Sequence, residues 1–220
     1  MKMVQKKTIL TMFLSAVFPF ILLNSSAQAA SFDPVLAEPT ERFPFHDVPA
    51  EYQERIQVLY DQKVFEGLNK DQFGWSLPIK RIDVAVILYQ SVPMTTEGVK
   101  KTEMKDVPER AVMAVSALEA MGIVNGKTAT SFGSNDTITR GEFALMASQA
   151  YRGTLRPADQ ETHTFLDATG RYKAAIDQLQ ASNITQGRSA SEFGTFKVMT
   201  RGELALLIYN LQTFSHKTDN

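Results

Sequence analysis

The chain has 220 residues, a formal net charge of −1 and no cysteine. This length allows one or two domains with a proper core. The missing cysteines exclude disulfides and lipid-modified cysteine, and the balanced charge gives no cationic excess for binding nucleic acid.

The first 29 residues have the layout of a secretory signal peptide. Three lysines precede an apolar run over residues 9–23, and Ala27-Gln28-Ala29 is a small-x-small cleavage signal. An uncleaved membrane anchor is the competing interpretation, but the run is short and Pro19 interrupts it. We expect cleavage after Ala29, which would change the formal net charge from −1 to −4 because the leader holds three lysines and no acids.

After a proline-containing lead-in over residues 30–44, the chain resolves into three repeats at 45–91, 104–152 and 165–212, with a tail at 213–220. An Asp, a Gly and an Arg recur with spacings of 20 and 14 residues and without gaps. These anchors are Asp47, Gly67 and Arg81; Asp106, Gly126 and Arg140; and Asp167, Gly187 and Arg201. Such a period indicates a repeat architecture.

Each repeat is predicted to be helix, loop, helix, which makes the fold all-α. The first helices are expected at about 49–63, 109–121 and 171–182, with an aspartate just before each, where a carboxylate favours the positive helix end. The glycine of the following turn is expected to have a positive φ. The second helices are apolar nearly all round, so three of them should form a shared central bundle.

The start of the second helix carries a capping signature. Thr139 with Glu142, and Thr200 with Glu203, have the Thr-x-x-Glu spacing of a capping box. The first copy is degenerate: Lys80 replaces the threonine, although Asp83 is still expected to act as a cap.

An arginine follows the cap in all three copies, where its positive charge is electrostatically unfavourable. One explanation is an anion receptor made of the guanidinium and the free N–H groups of the helix start, suited to a carboxylate or phosphate. The other is an internal ion pair, either with Asp47, Asp106 or Asp167 or with one of the capping-box acids. The sequence leaves both open, and they are compatible.

Catalysis and nucleotide binding find little support. The segment 122–128 resembles a phosphate-binding loop, but only three residues separate its glycines and a helix precedes it. The three histidines, His46, His163 and His216, lack a metal-ligand spacing. We therefore expect no enzyme activity, metal or cofactor. Trp75 is expected to cover either a sugar face or the core.

The combined motifs resemble the S-layer homology domain. They are Phe45-His46-Asp47-Val48, the turn Gly122-Ile123…Gly126, and the box Ile138-Thr139-Arg140-Gly141-Glu142. The resemblance covers residues 45–212 and implies three tandem motifs folded into a pseudo-threefold spindle.

The resemblance also implies non-covalent attachment to a bacterial cell wall, most often of a Gram-positive organism. The implied ligand is a secondary cell-wall polysaccharide with pyruvylated N-acetylmannosamine, bound in grooves between repeats. The implied contacts are the recurring residues Arg81, Arg140, Arg201, Asp47, Asp106, Asp167, Gly67, Gly126 and Gly187. Because of Lys80 and Ile82, we expect the first groove to be altered or silent, and rank Arg140 and Arg201 above Arg81. The alternative function is an envelope adaptor that holds a separate partner protein at the wall.

Overall fold

A computed structural model describes residues 43–158 and 165–218, which lie in one compact unit, Glu41–Asn220. Regular structure in these residues is entirely helical, which confirms the all-α prediction. The predicted signal peptide, most of the lead-in and His163 lie outside them. The helices are α1 Gln53–Asp61, α2 Arg81–Ser91, α3 Val112–Ala120, α4 Arg140–Ala150, α5 Lys173–Ala181 and α6 Arg201–Thr218.

The first helix of each repeat begins with a 3-10 turn and ends on a left-handed residue. The turns are Ala50–Tyr52, Glu109–Ala111 and Gly170–Tyr172. The left-handed residues are Lys63, Gly122 and Asn183, with φ of 60°, 69° and 56°. After α1, the Val64 N–H donates to the Leu59 carbonyl at 3.0 Å, which satisfies one of the carbonyls that a helix end leaves free.

The prediction of a positive φ at the anchor glycines is wrong for Gly67 and Gly126 and correct only for Gly187, at 76°. All three are required instead by close packing. A Cβ would lie 2.3 Å from the Phe45 ring at Gly67, and 2.3 Å from the Phe165 ring at Gly187. At Gly126 it would lie 2.3 Å from the carbonyl oxygen of Thr128. These distances are too short for any side chain.

The helices pair between repeats. The close pairs are α2 with α3, α4 with α5, and α6 with α1, so each second helix packs against the first helix of the next repeat. The third pair closes the ring. At the centre, α2 also contacts both α4 and α6. One repeat therefore cannot form this core by itself.

A closed triangle of backbone hydrogen bonds joins the three segments that precede the second helices. The Ile79 N–H donates to the Met199 carbonyl at 3.1 Å, Met199 donates to Ile138 at 2.9 Å, and Ile138 donates back to Ile79 at 3.3 Å. All three side chains are buried. The three repeats thus meet at equivalent positions of their chains.

The second helix of the third repeat, α6, is the longest helix of the described residues. α6 continues to Thr218, through the segment that the sequence assigned to a tail, whereas α2 and α4 each have 11 residues. In the part of the chain that the structure describes, no helix combines the length and apolar character needed to cross a membrane.

Candidate functional site

The recurring aspartates hold the loop of their own repeat. The Asp106 carboxylate accepts hydrogen bonds from the N–H groups of Phe132, Gly133 and Ser134 at 2.6–2.8 Å. Asp47 and Asp167 make the same three bonds in their repeats. The recurring carboxylates thus hold the loop by hydrogen bonds. This role is compatible with the predicted favourable effect of their charge on the nearby helix start.

These bonds make the aspartates strongly acidic. Partial burial of Asp106 raises its pKa, but the three backbone N–H donors together outweigh this effect and lower the pKa to about 2. The same causes lower the pKa of Asp47 and of Asp167. The bonds also position the Phe-Gly pair of each loop, whose phenylalanines (Phe73, Phe132 and Phe193) are fully buried.

Each recurring arginine reaches into the loop of the next repeat. The Nε–H donates to the carbonyl of the loop phenylalanine: Arg81 to Phe132 at 3.1 Å, Arg140 to Phe193 at 2.9 Å, and Arg201 to Phe73 at 2.8 Å. The same guanidinium lies 4.6–5.0 Å from the centre of that phenylalanine ring, within the range of a cation–π contact.

The three arginines differ in their remaining contacts. Arg81 also donates to the carbonyl of Asn125 at 3.0 Å, and Arg201 donates to the equivalent carbonyl of Glu66. Arg140 is 5% exposed and lies 3.8 Å from the Glu203 carboxylate. In the part of the chain that the structure describes, none of the three forms a direct ion pair with a recurring aspartate. Of the proposed internal partners, only a cap acid is engaged.

The helix starts are not free anion receptors, which corrects half of the receptor hypothesis. The N–H of Arg140 donates to the Lys197 carbonyl at 3.0 Å, and the N–H of Gly141 donates to Thr195 at 2.9 Å. Equivalent bonds to the next loop hold the starts of α2 and α6. The loop of the next repeat therefore satisfies these donors, and only guanidinium N–H groups remain for a ligand.

Capping boxes begin α4 and α6. Glu142 accepts from the Thr139 N–H at 2.9 Å, and the Thr139 hydroxyl accepts from the Glu142 N–H at 3.3 Å. Thr200 and Glu203 make the same two bonds.

The expectation that Asp83 caps α2 is wrong. Lys80 offers no side-chain cap, and the Asp83 carboxylate instead pairs with Arg110 at 2.8 Å.

Two grooves open beside Arg81 and Arg140, at corresponding places in the fold. The Arg81 groove has a volume of about 710 Å³ and lies between Arg81, the turn 122–127 and α4; Lys127 and Arg171 also line it. The Arg140 groove has a volume of about 340 Å³ and lies between Arg140, the turn 184–188 and α6. The Arg81 groove draws on all three repeats, since Arg171 belongs to the third.

The two grooves differ in the contacts that their capping-box glutamates make with arginines. In the Arg140 groove, Glu203 lies 2.5 Å from Arg188 and 3.8 Å from Arg140, so the two guanidiniums share one carboxylate. In the Arg81 groove, Glu142 bonds only to Thr139 among the described residues. Arg171 donates to the hydroxyl of Tyr172 at 2.8 Å and stacks on its ring. Among the described residues, neither Arg81 nor Arg171 has a carboxylate within ion-pair distance, although Glu142 attracts both over a longer range.

Trp75 is a packing residue. Its ring stacks on Tyr52, with 5.1 Å between centroids, and covers Gly202, where a Cβ would lie 2.5 Å from the indole. At the matching position between the first two repeats, the Ile82 N–H donates to the Ser134 carbonyl at 3.3 Å, and serine is much smaller than tryptophan. Ile82 is buried and does not line the Arg81 groove.

The structure brings some of the predicted site residues together. Arg81 and Gly126 line one groove, and Arg140 and Gly187 line the other. Asp106 and Asp167 line neither, because their carboxylates are used inside the loops.

Sequence reasoning missed three basic residues: Lys127, Arg171 and Arg188. A signal was present for two of them, since Lys127 and Arg188 both directly follow the anchor glycine of their repeats.

The described residues contain no cluster of three or more His, Cys, Asp or Glu that could hold a metal ion.

The fold and the grooves define a class of protein: an all-helical module of three interleaved repeats with basic clefts between them.

Two of the three repeats match the model of a known protein family. Residues 103–144 and 164–205 match the family model of the S-layer homology domain, a cell-wall anchoring module. The chain is also similar to an endoglucanase from Bacillus sp. (strain KSM-635), with 25% identity over 210 residues. That alignment covers 92% of this chain and 21% of the endoglucanase, so the chain spans about a fifth of the length of that relative.

Proposed function

We propose that the chain anchors non-covalently to a bacterial cell wall by binding an acidic secondary cell-wall polysaccharide in the grooves between its repeats. The ligand unit we propose is N-acetylmannosamine with ketal-linked pyruvate. The observation that carries the proposal is the Arg81 groove, whose two guanidiniums have no direct ion pair with a carboxylate of the described residues. A pyruvate carboxylate would supply the missing acceptor.

The grooves are suited to one sugar unit each. Cavities of about 710 and 340 Å³ are within or near the range of small-ligand sites. Binding one polymer chain at two or more grooves would raise retention by avidity, since the second contact becomes intramolecular. The proposed location is therefore the cell surface, after export by the predicted signal peptide.

The geometry favours a different ranking of the arginines from that expected from sequence. Arg81 lines the larger groove and is only partly buried, whereas Arg140 is almost fully covered. Together with the burial of Ile82 outside this groove, this favours an active Arg81 groove over a silent one.

The test is a pull-down of the full chain with purified Gram-positive cell walls, before and after chemical removal of the secondary polymer. We expect retention on intact walls and loss on stripped peptidoglycan; equal retention on both would refute the proposal. Lys127→Gln removes an exposed groove cation whose ion pair is with Asp136, and should lower retention severalfold. Lys100→Gln removes an exposed charge outside both grooves and serves as the matched control.

A protein-interaction adaptor is the second candidate. It is favoured by Phe196, a loop residue that is 66% exposed and contacts Tyr172 edge-on. Retention that survives polymer removal but is lost in Phe196→Ser would support the adaptor over the polysaccharide anchor.

A further inference from the structure

The Arg81 groove is lined by a basic residue of the third repeat, Arg171, that does not line the Arg140 groove. Arg171 directly precedes Tyr172 at the start of the first helix of its repeat, and it lines the same groove as Arg81 and Glu142. Its counterpart in the second repeat is Arg110, which pairs with Asp83 at 2.8 Å. In the first repeat the counterpart is the acid Glu51.

The side chain of Arg171 is held in place without being neutralised. It donates to the Tyr172 hydroxyl at 2.8 Å and lies 4.8 Å from the centre of that ring. Tyr172 in turn packs against Gly141 and against Phe196. A guanidinium stacked on an anchored ring loses less side-chain entropy when it binds an anion.

The two grooves therefore differ in how many of their basic side chains are paired with an acid. Arg81, Lys127 and Arg171 face one acid, Glu142, which already serves as a helix cap. Lys127 is paired with Asp136 at 2.6 Å, so Arg81 and Arg171 remain as the groove cations that have no direct ion pair among the described residues. In the Arg140 groove, Glu203 takes both arginines.

We propose that the Arg81 groove selects a ligand with two anionic groups, one bound by Arg81 and the second by Arg171, so that Arg171 determines specificity. This rests on the proposed polysaccharide function and names its ligand class: an acidic sugar whose neighbour along the chain carries a second carboxylate or a phosphate. The Arg140 groove accepts a single carboxylate only in competition with Glu203.

The test compares two synthetic probes by isothermal titration calorimetry with the full chain. One is the methyl glycoside of 4,6-pyruvylated N-acetylmannosamine, with one carboxylate. The other is a disaccharide in which this unit is linked to glucuronic acid, with two. Wild type should prefer the disaccharide about tenfold, the discrimination expected from one charge-assisted contact at a partly exposed site.

Arg171→Gln should abolish that preference and leave binding of the one-carboxylate probe within about twofold, since the contact with Arg81 is untouched. Lys100→Gln should behave as wild type. An unchanged preference in Arg171→Gln, or an equal loss for both probes, would overturn the inference.

The result also separates this inference from the proposed function. If wild type binds neither probe and is retained equally on stripped walls, the polysaccharide function fails. If wild type binds both probes and Arg171→Gln keeps the wild-type ratio, the function stands and the role of Arg171 is refuted.

Discussion

Replacing Arg140 by alanine tests whether the recurring arginines build the fold as well as the site. Its Nε–H donates to the buried Phe193 carbonyl at 2.9 Å, its guanidinium stacks 4.6 Å from that ring, and Glu203 lies 3.8 Å away. From the sequence alone, we would expect Arg140→Ala with Arg201→Ala to abolish wall retention and leave melting nearly intact. These contacts predict a large loss of stability instead.

The magnitude follows from the contacts. A hydrogen bond from a charged donor contributes roughly 1.5–3 kcal/mol, and a desolvated cation–π contact about 1–2 kcal/mol. Since these values overlap in one side chain, we expect Arg140→Ala to lower the free energy of unfolding by about 3 kcal/mol. For a domain of this size, that corresponds to a fall in Tm of about 6–12 °C.

Urea unfolding followed by far-ultraviolet circular dichroism measures the change. Arg140→Lys keeps the charge but loses the fork geometry, and should lose about 2 kcal/mol. Arg171→Ala, at an exposed arginine, is the control and should change stability by less than about 0.5 kcal/mol. If Arg140→Ala unfolds at the wild-type urea concentration while losing wall binding, the arginine acts only on the ligand and this reasoning is refuted.

Three further predictions concern the loops and the contacts between repeats. Because the folded pKa of Asp106 is about 2 and the unfolded value about 3.9, its stabilising contribution, about 2 kcal/mol, is present above pH ~4 and is lost as pH falls through 2. Asp106→Asn should therefore be less stable at pH 7 and approach wild type near pH 2 in urea titrations; a constant gap would contradict this. Gly126→Ala should cost more than about 2 kcal/mol, since its Cβ meets the Thr128 carbonyl, whereas Gly98→Ala, in open space with φ +72°, should cost about 1 kcal/mol. Gly202→Ala should destabilise the wild type but stabilise a Trp75→Ser background, where helix propensity favours alanine by about 1 kcal/mol; an unchanged sign in the double-mutant cycle would refute the packing role of Trp75.

The sequence was sufficient to predict the elements but not their partners. Apolar periodicity and the repeat spacing located the six α-helices of the described residues, because both depend on neighbours within one segment. The interleaved pairing of α2 with α3 and of α6 with α1 was not predictable, because periodicity shows which face of a helix is buried and not what covers it. The acceptor of Arg201 illustrates the distance involved, since Phe73 lies 128 residues away along the chain.

The candidate site was predicted in part for the same reason. An arginine at a helix start stood out as electrostatically unfavourable, and that anomaly pointed to the grooves. The role of the aspartates was not visible, because a loop that wraps a carboxylate has no signature beyond its Phe-Gly pair. The positive φ lies at the glycine of that pair, at Gly74, Gly133 and Gly194, in all three repeats.

One charge difference between repeats explains why the grooves are not equivalent. The residue four positions after the recurring aspartate is Glu51, Arg110 or Arg171. The structure pairs the second of these with an acid on the first turn of α2, as Arg110 with Asp83. Arg171 occupies the corresponding place beside Glu142, which is held by its threonine, so its charge stays available. In the first repeat the corresponding residue is an acid, Glu51. Glu203 pairs with Arg188, from the turn of the third repeat. Among the described residues, the Arg81 groove therefore has two guanidiniums with no carboxylate within ion-pair distance, whereas the two guanidiniums of the Arg140 groove share Glu203.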